Sequence, residues 1–188
     1  MSRFDFIQTP LSGLKLLQRK AIEDHRGFFS RFYCFDEISN TGIMKSIEQI
    51  NHSFTSKKGT VRGLHFQYPP YAENKIISCV KGEVFDVAVD VRSSSPTFLQ
   101  WHGVILSSKN KKSFIVPEGF AHGFQTLSDD CELIYLSTAP YSEASEDAIN
   151  AKDKKLSIAW PLPISDLSEK DAKQPFISAE FVGVDIKS

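Results

Sequence analysis

Alternation of apolar and polar positions with a period of two dominates this chain and predicts β-strands. In the segment 83–91 (EVFDVAVDV), Phe85, Val87 and Val89 fall on one face of a strand, and the residues between them, including Asp86, fall on the other. Similar runs occupy Leu14–Gln18, Phe28–Phe35, Ile47–Ser53, Thr60–Phe66, Lys75–Val80, Trp101–Leu106, Ser113–Val116, Gly119–Leu127 and Glu132–Ser137. Many short strands separated by frequent turns are typical of an all-β sandwich or barrel.

Helical patterns are scarce, and we expect only short helices, mostly in the C-terminal part. Phe35–Asn40 predicts one helical turn, and Ser168–Lys173 another, with Ser168 as N-cap and Asp171 completing a loose capping box. A chain of 188 residues is long enough for one well-buried core. We therefore predict a single domain over 1–188, with N-terminal strands to about 45, a barrel core over about 46–140, and loops and short helices over about 141–188.

Composition and charge narrow the classes of function. Apolar residues make up 41% of the chain and the formal net charge is −1, so nothing favours nucleic acid or a membrane surface as partner. The first nine residues contain Arg3 and Asp5 and no apolar run, so we expect no leader peptide and a cytoplasmic location. Cys34, Cys79 and Cys131 share no CxxC spacing, which predicts buried free thiols.

The densest polar stretch runs from Gln49 to Lys75. Arg62 and His65 lie an odd number of residues apart, so a regular strand would point them to opposite faces. Gly63 lies between them, and a bulge there would bring both side chains into one cavity. The alternative is that they are ordinary polar residues on a half-exposed strand.

The segment 117–124 (PEGFAHGF) resembles the second half-motif of cupin barrels, in which a Pro-x-Gly turn aims the following histidine, here His122, into the barrel. In metal-binding cupins the first half-motif supplies His-x-His and a glutamate. Here Gln67 stands in the place of the second histidine, and two histidines without a carboxylate make a poor metal site. We therefore expect no metal, although Glu73 could complete a metal site.

The remaining polar side chains suit proton transfer. A histidine can act as a base near neutral pH, and a lysine or arginine can stabilise an oxyanion in a dry cavity. Tyr135, in an apolar run, could be either a buried phenol acting as an acid or a plain core tyrosine. A base, a cation and an acid in one barrel indicate proton abstraction next to a carbonyl group.

Over roughly Asp24 to Pro175 the chain resembles the dTDP-4-dehydrorhamnose 3,5-epimerase family. The segments that carry the resemblance are 24–29 (DHRGFF), 49–53 (QINHS), 59–67 (GTVRGLHFQ), Lys75, 82–92 (GEVFDVAVDVR), 95–97 (SPT), 117–124, Tyr135, Tyr141, 160–161 (WP) and 168–171 (SEKD). The resemblance implies a cupin-like jelly-roll β-barrel and epimerisation of a nucleotide-linked 4-keto-6-deoxy sugar.

The resemblance also implies roles for individual residues. His65 would remove the protons at C3 and C5, Asp171 would orient His65, and Tyr135 would return a proton from the opposite face. Lys75 would stabilise the enolate oxygen at C4. The implied substrate-binding residues are Arg26, Gln49, Asn51, Arg62, His122, Tyr141, Glu146 and Lys170. No cofactor is implied, and the protein would be a homodimer in which Arg26 of one subunit completes the partner's site.

Three departures from the family pattern predict a change in substrate. Arg31 stands where the family usually has glutamate, Glu73 stands where it has glutamine, and 150–154 (NAKDK) lacks the family's tryptophan and proline. The implied catalytic residues are all present. We therefore expect the chemistry to be kept, with dTDP-4-dehydro-6-deoxyglucose as the first candidate substrate and a nucleotide selectivity that differs from the family's usual thymidine preference. Alternatives are a 3- or 5-mono-epimerase acting on another nucleotide sugar, a metal-dependent cupin enzyme, and a non-catalytic sugar-nucleotide-binding protein.

Overall fold

The computed structural model describes residues 2–186 and consists mainly of antiparallel β-strands. The strands are β1 (Phe4–Gln8), β2 (Lys15–Arg19), β3 (Ile22–Asp24), β4 (Gly27–Phe29), β5 (Gln49–Thr55), β6 (Val61–Gln67), β7 (Lys75–Lys81), β8 (Glu83–Asp90), β9 (Trp101–Ser107), β10 (Lys112–Val116), β11 (Phe120–Thr126), β12 (Cys131–Ser137) and β13 (Glu146–Ala148). The helices are α1 (Phe35–Ile38), continued by a 3-10 turn at Ser39–Thr41, and α2 (Glu169–Ala172). The all-β prediction is confirmed.

Two sheets face each other and enclose the main core. One has six strands in the order β1-β2-β10-β7-β12-β5, and the other has five in the order β13-β6-β11-β8-β9. Apolar side chains from both sheets fill the space between them, among them Ile77, Val84, Phe114, Phe124 and Leu133. The two sheets therefore pack against each other through a shared apolar core.

The outer face of the five-stranded sheet carries a second core. Val87 and Val89 of β8 pack there against Ile149, Leu156 and Val184 from the C-terminal part of the chain. The two faces predicted for β8 are therefore correct. The C-terminal segment covers the barrel as expected, while the assignment of the whole chain to a single domain stays a prediction.

The prediction of a strand over Phe28–Phe35 is wrong beyond Phe29. β4 ends at Phe29 and pairs only with β3, and the chain then continues irregularly into α1. Phe28 and Phe29 are 58% and 70% exposed, so an apolar run here does not mark a strand of the barrel. Strands β1, β3 and β13 were not predicted. The two short helices form where expected, α1 between β4 and β5 and α2 after β13.

The three cysteines are free, as predicted, with Cys79 and Cys131 buried and Cys34 only partly so. Burial raises the pKa of the Cys79 thiol to about 12, so this thiol stays protonated at neutral pH. Within residues 2–186, no helix has the length and apolar character needed to cross a bilayer.

Candidate active site

A cavity of about 430 Å³ opens at the polar end of the barrel, between the two sheets. Most of the side chains predicted from the sequence line it: Gln49, Asn51, Arg62, His65, Lys75, His122, Tyr135, Tyr141 and Glu146. Asp171 and Lys170 line an adjoining cavity that shares Arg62 and His65 with the first. The sequence therefore identified a true cluster, with Arg26 as the exception.

His65 forms a close pair with Asp171. The distance from His65 Nε2 to Asp171 Oδ1 is 2.7 Å, and the Gly63 N–H donates to Asp171 Oδ2 at 3.3 Å. Burial alone would raise the pKa of the Asp171 carboxyl, but the hydrogen bond and charge of His65, with the Gly63 N–H, outweigh it and hold that pKa below its usual value. An ionised Asp171 can only accept, so His65 Nε2 carries the proton and Nδ1 is the basic nitrogen.

The short helix α2 holds Asp171 in place. Ser168 caps this helix, and its hydroxyl accepts a hydrogen bond from the Asp171 N–H at 3.0 Å. The Asp171 side chain contacts His65 and Gly63 of β6. Ser168 therefore caps α2 as predicted, whereas the Asp171 carboxylate pairs with His65 in the site.

Gly63 explains why Arg62 and His65 reach the same cavity. His65 pairs with His122 of β11, but Arg62 pairs with Phe124, so the register of the two strands shifts at Gly63. Gly63 has a φ of +120°, and a Cβ placed on it would lie 2.6 Å from the Cα of Gly123. The predicted irregularity is confirmed, and it requires glycine at this position.

A second imidazole–carboxylate pair lies deeper in the barrel. His122 Nε2 is 2.7 Å from Asp86 Oδ1, and Asp86 is fully buried. Burial raises the pKa of the Asp86 carboxyl against the opposing influence of His122 and Lys75. Sequence reasoning did not select Asp86. The signal was available, because an aspartate on the core-facing side of an apolar strand must find a charged or hydrogen-bonding partner.

The opposite wall of the cavity carries the lysine and the phenol. Lys75 belongs to β7 and Tyr135 to β12, both in the six-stranded sheet, whereas His65 and His122 belong to the five-stranded sheet. The Tyr135 hydroxyl accepts a hydrogen bond from Ser53 Oγ at 3.3 Å, and its ring meets the His122 ring edge-on at 6.1 Å. The base and the acid predicted from the sequence therefore stand on different sheets.

Tyr135 should remain protonated well into the alkaline range. Burial raises the pKa of its phenol above the ordinary value, and a raised pKa preserves the protonated form to higher pH. We expect the absorbance at 295 nm of folded wild type and of Tyr135→Phe to stay equal up to about pH 10, where an ordinary tyrosine is half ionised. In denaturant the two proteins should differ by one tyrosine titrating near pH 10. A difference in the folded proteins at or below pH 10 would contradict the burial argument.

The mouth of the cavity is held by a chain of polar contacts. Gln49 donates to Asn51 at 3.0 Å and accepts from the Tyr141 N–H at 3.0 Å. Glu146 accepts from the Tyr141 hydroxyl at 3.0 Å and forms an ion pair with Lys170. Burial would raise the pKa of Glu146, but these hydrogen bonds outweigh it and hold that pKa below its usual value. The exposed Tyr141 ring and the nearby amides can contact a flat, polar group at the rim.

Two residues singled out from the sequence lie away from this cavity. Arg26 is at the tip of the β3–β4 ribbon, where it pairs with Asp24 at 2.6 Å and is largely exposed. Arg31 pairs with Glu37 of α1 at 2.7 Å. Neither lines the cavity, so the altered nucleotide preference based on Arg31 stays a prediction.

The side chains present do not form a recognisable metal site. Glu73, the carboxylate that could have completed one, pairs with Lys75 at 3.1 Å. Gln67 bonds to the backbone of Tyr71 and Ser142. In the part of the chain that the structure describes, no three His, Cys, Asp or Glu side chains are grouped as metal ligands. That the protein works without a metal stays a prediction.

A β-barrel with acid–base side chains on facing walls of one cavity defines an enzyme of the cupin-like class. Comparison with known proteins identifies the particular family, because residues 8–179 match the family model described as dTDP-4-dehydrorhamnose 3,5-epimerase. The chain therefore belongs to the dTDP-4-dehydrorhamnose 3,5-epimerase family of isomerases, and the resemblance noted in the sequence is confirmed.

Individual relatives agree with this assignment. The chain is 46% identical to the dTDP-4-dehydrorhamnose 3,5-epimerase of Salmonella typhimurium over 91% of this chain and 94% of that protein. It is 41% identical to a 3,5-epimerase from Legionella pneumophila solved with dTDP-4-keto-L-rhamnose, with a TM-score of 0.91 and coverage of 98% and 100%. A 3'-monoepimerase from Streptomyces bikiniensis, solved with dTDP-quinovose, is 29% identical, with a TM-score of 0.83 and coverage of 90% and 86%. These structural neighbours confirm the predicted cupin-like fold.

Proposed function

We propose that the protein inverts C3 and C5 of dTDP-4-dehydro-6-deoxyglucose to give dTDP-4-dehydrorhamnose, without a cofactor. The observation that carries this proposal is the placement of the His65–Asp171 pair and of Tyr135 on opposite sheets around one cavity. Inversion at a carbon requires a base on one face and an acid on the other. The Legionella relative solved with dTDP-4-keto-L-rhamnose supports a dTDP-linked 4-keto sugar as ligand.

The reaction proceeds through an enolate. His65 Nδ1 takes the proton from the carbon next to the C4 ketone, and the electron pair of the broken C–H bond moves onto the C4 oxygen. The Lys75 ammonium stabilises this oxyanion. The enolate then collapses as Tyr135 delivers its phenolic proton to the opposite face of the carbon. Exchange with solvent returns the histidinium and the phenolate to their starting forms, and a ring flip presents the second carbon.

The substrate itself makes the chemistry possible. The C4 ketone acidifies the hydrogens on both neighbouring carbons, so neither a metal nor a nicotinamide nor a pyridoxal group has to supply an electron sink. Asp171 holds the His65 ring in the basic tautomer and stabilises its protonated form during the step. Arg62, which lines both cavities, and Lys170, which lines the adjoining one, supply the positive charge that a diphosphate needs.

The number of inverted centres is the second question, because the Streptomyces 3'-monoepimerase shares this fold. Proton NMR of dTDP-4-keto-6-deoxyglucose incubated with the enzyme in deuterated water answers it. Loss of signal at both C3 and C5 would establish the 3,5-epimerase. Loss at C3 alone would make the protein a 3-epimerase. If neither signal is lost, the proposed substrate is wrong, and CDP- and GDP-linked 4-keto sugars would be assayed next.

We further propose that the protein is a cytoplasmic homodimer and that Arg26 completes the partner's site. The β3–β4 ribbon pairs with no other strand of residues 2–186 and exposes Phe28 and Phe29. An apolar groove of about 520 Å³, lined by Phe32, Ile50, Ile134, Leu136 and neighbouring residues, lies on the outer face of the six-stranded sheet. Exposed apolar surface of this kind is suited to a subunit interface.

Mixing two inactive variants tests this arrangement. Arg26→Ala and His65→Gln homodimers should both have low activity, because each lacks one residue in both sites. Co-expression of the two chains should restore about a quarter of wild-type activity, since half of the dimers then carry one intact site. Co-expression of either single variant with the double variant His65→Gln,Arg26→Ala is the matched control, and it should restore no activity. Absence of restoration in proven heterodimers would place Arg26 in its own subunit's site, and full activity of the Arg26→Ala homodimer would place it outside both sites.

A further inference from the structure

We propose that Glu73 is a positioning residue that holds the Lys75 ammonium where the enolate oxygen develops. This inference rests on the proposed function, because it assigns Lys75 to the C4 oxygen. Glu73 was considered above as a possible metal ligand and as a departure from the family's glutamine.

The two side chains form an ion pair inside the catalytic cavity. Glu73 Oε1 lies 3.1 Å from Lys75 Nζ, and the Glu73 and Lys75 side chains are only 11% and 17% exposed. Both residues line the cavity. Among the described residues, Glu73 is the carboxylate in ion-pair contact with Lys75, so the direction in which the lysine points depends on it.

The backbone next to Glu73 is held in place through Asn74. The next residue, Asn74, donates its N–H to Thr138 Oγ1 at 2.9 Å, and its carbonyl accepts from the Thr138 N–H at 3.1 Å. The Asn74 side chain donates to Glu118 Oε1 at 3.2 Å. These contacts attach the residue before β7 to the end of β12, so the carboxylate is placed before substrate arrives.

The position of the ammonium relative to Tyr135 matters for the reaction. Lys75 pairs directly with Ser137 on β12, two residues beyond Tyr135, so the ammonium and the phenol come from adjacent points of the same wall. A lysine side chain has four rotatable carbons and loses much conformational freedom when it is fixed. A preorganised donor stabilises a developing oxyanion better than one that must reorient during the step. Glu73 supplies this preorganisation.

A different role for Glu73 makes different predictions. Its carboxylate could instead accept a hydrogen bond from a sugar hydroxyl, and its removal would then raise KM and act independently of Lys75. A positioning role requires that removal lower kcat, that glutamine rescue the loss, and that the effect vanish when Lys75 is absent.

The experiment is a double-mutant cycle on the purified enzyme with dTDP-4-keto-6-deoxyglucose. Glu73→Ala should lower kcat about tenfold or more and change KM by less than about threefold, whereas Glu73→Gln, which keeps an acceptor, should retain at least about a third of kcat. In a Lys75→Ala background, Glu73→Ala should change kcat by less than about twofold. Asp5→Ala, which removes the exposed ion pair with Lys20 at 2.6 Å, is the control and should leave kcat unchanged.

Independent effects of the Glu73 and Lys75 substitutions, or a larger loss with glutamine than with alanine, would overturn the proposal. Glu73→Ser replaces Glu73→Ala in the cycle if the alanine variant does not fold.

Wild type that does not turn over the sugar nucleotide would refute the proposed function instead, and the positioning role would then be decided by chemical labelling of Lys75. Without the ion pair to Glu73, Lys75 should react with an amine-acylating reagent about threefold faster in Glu73→Ala than in wild type or Asp5→Ala. An unchanged rate of Lys75 labelling would exclude a positioning role for Glu73.

Discussion

His65→Gln should lower the rate of epimerisation by about 10² to 10⁴-fold, the contribution of a well-placed general base. His65 is the imidazole that Asp171 orients at the cavity surface, with Nδ1 left as the basic nitrogen. Glutamine removes the base more selectively than alanine does, because its amide N–H₂ can still donate a hydrogen bond to Asp171. Alanine would leave a nearly buried carboxylate without its partner, which costs about 1–3 kcal/mol of stability.

Two measurements separate loss of the base from loss of the fold. The NMR assay should show that both epimer formation and hydrogen exchange at C3 and C5 disappear in His65→Gln, since each begins with proton abstraction. His102→Gln changes a half-buried histidine of β9, which lines neither the catalytic nor the adjoining cavity, and should keep its activity. More than a few per cent of wild-type activity in folded His65→Gln would exclude His65 as the base.

The sequence predicted best the strands in which the burial of every second side chain produces an alternating apolar pattern. In β8 every second side chain faces the barrel core, so the alternation of Val84, Asp86 and Ala88 with Phe85, Val87 and Val89 is visible in the sequence. β13 is only three residues long and exists because Glu146–Ala148 pairs with β6, about eighty positions earlier in the chain. Three residues are too few to show an alternating pattern, and for this reason β13 could not be predicted.

The candidate site likewise has some features that the local sequence predicted and others that it did not. Gly63 indicated an irregularity because a glycine inside a strand often marks a bulge or a close approach of another backbone, and the structure confirms that Arg62 and His65 share a cavity. The Asp171–His65 contact joins residues more than a hundred positions apart, and only the family resemblance suggested it. Arg26 lies outside the cavity of its own chain, so the geometry of one subunit cannot test its role.

The placement of the two walls explains why one small barrel can invert a stereocentre. The five-stranded sheet contributes both imidazoles and Asp86, with Asp171 of α2 beside it, and the six-stranded sheet contributes the ammonium and the phenol. In the proposed reaction, a planar enolate lying between the sheets would present one face to each wall. Abstraction from one side and delivery from the other then require no movement of the protein side chains across the sugar ring.

Tyr135→Phe should separate the two halves of the reaction. Phenylalanine keeps the ring contact with His122 and removes only the hydroxyl, whose hydrogen bond to Ser53 is long at 3.3 Å, so the fold should be little affected. His65 can still abstract the proton and return a deuteron to the same face. We therefore expect epimer formation to fall about 10²-fold or more, while deuterium exchange into recovered substrate falls by less than about tenfold.

The comparison is made in deuterated water, with product and recovered substrate quantified in the same NMR spectra. Tyr68→Phe is the matched control, because it removes a hydroxyl bonded to Asp147 at 3.2 Å outside the catalytic cavity, and it should leave both rates near wild type. Equal losses of epimer formation and exchange in Tyr135→Phe would mean that the phenol assists abstraction itself. The acid that protonates the opposite face would then have to be sought elsewhere on the six-stranded wall, where Lys75 and His52 also line the cavity.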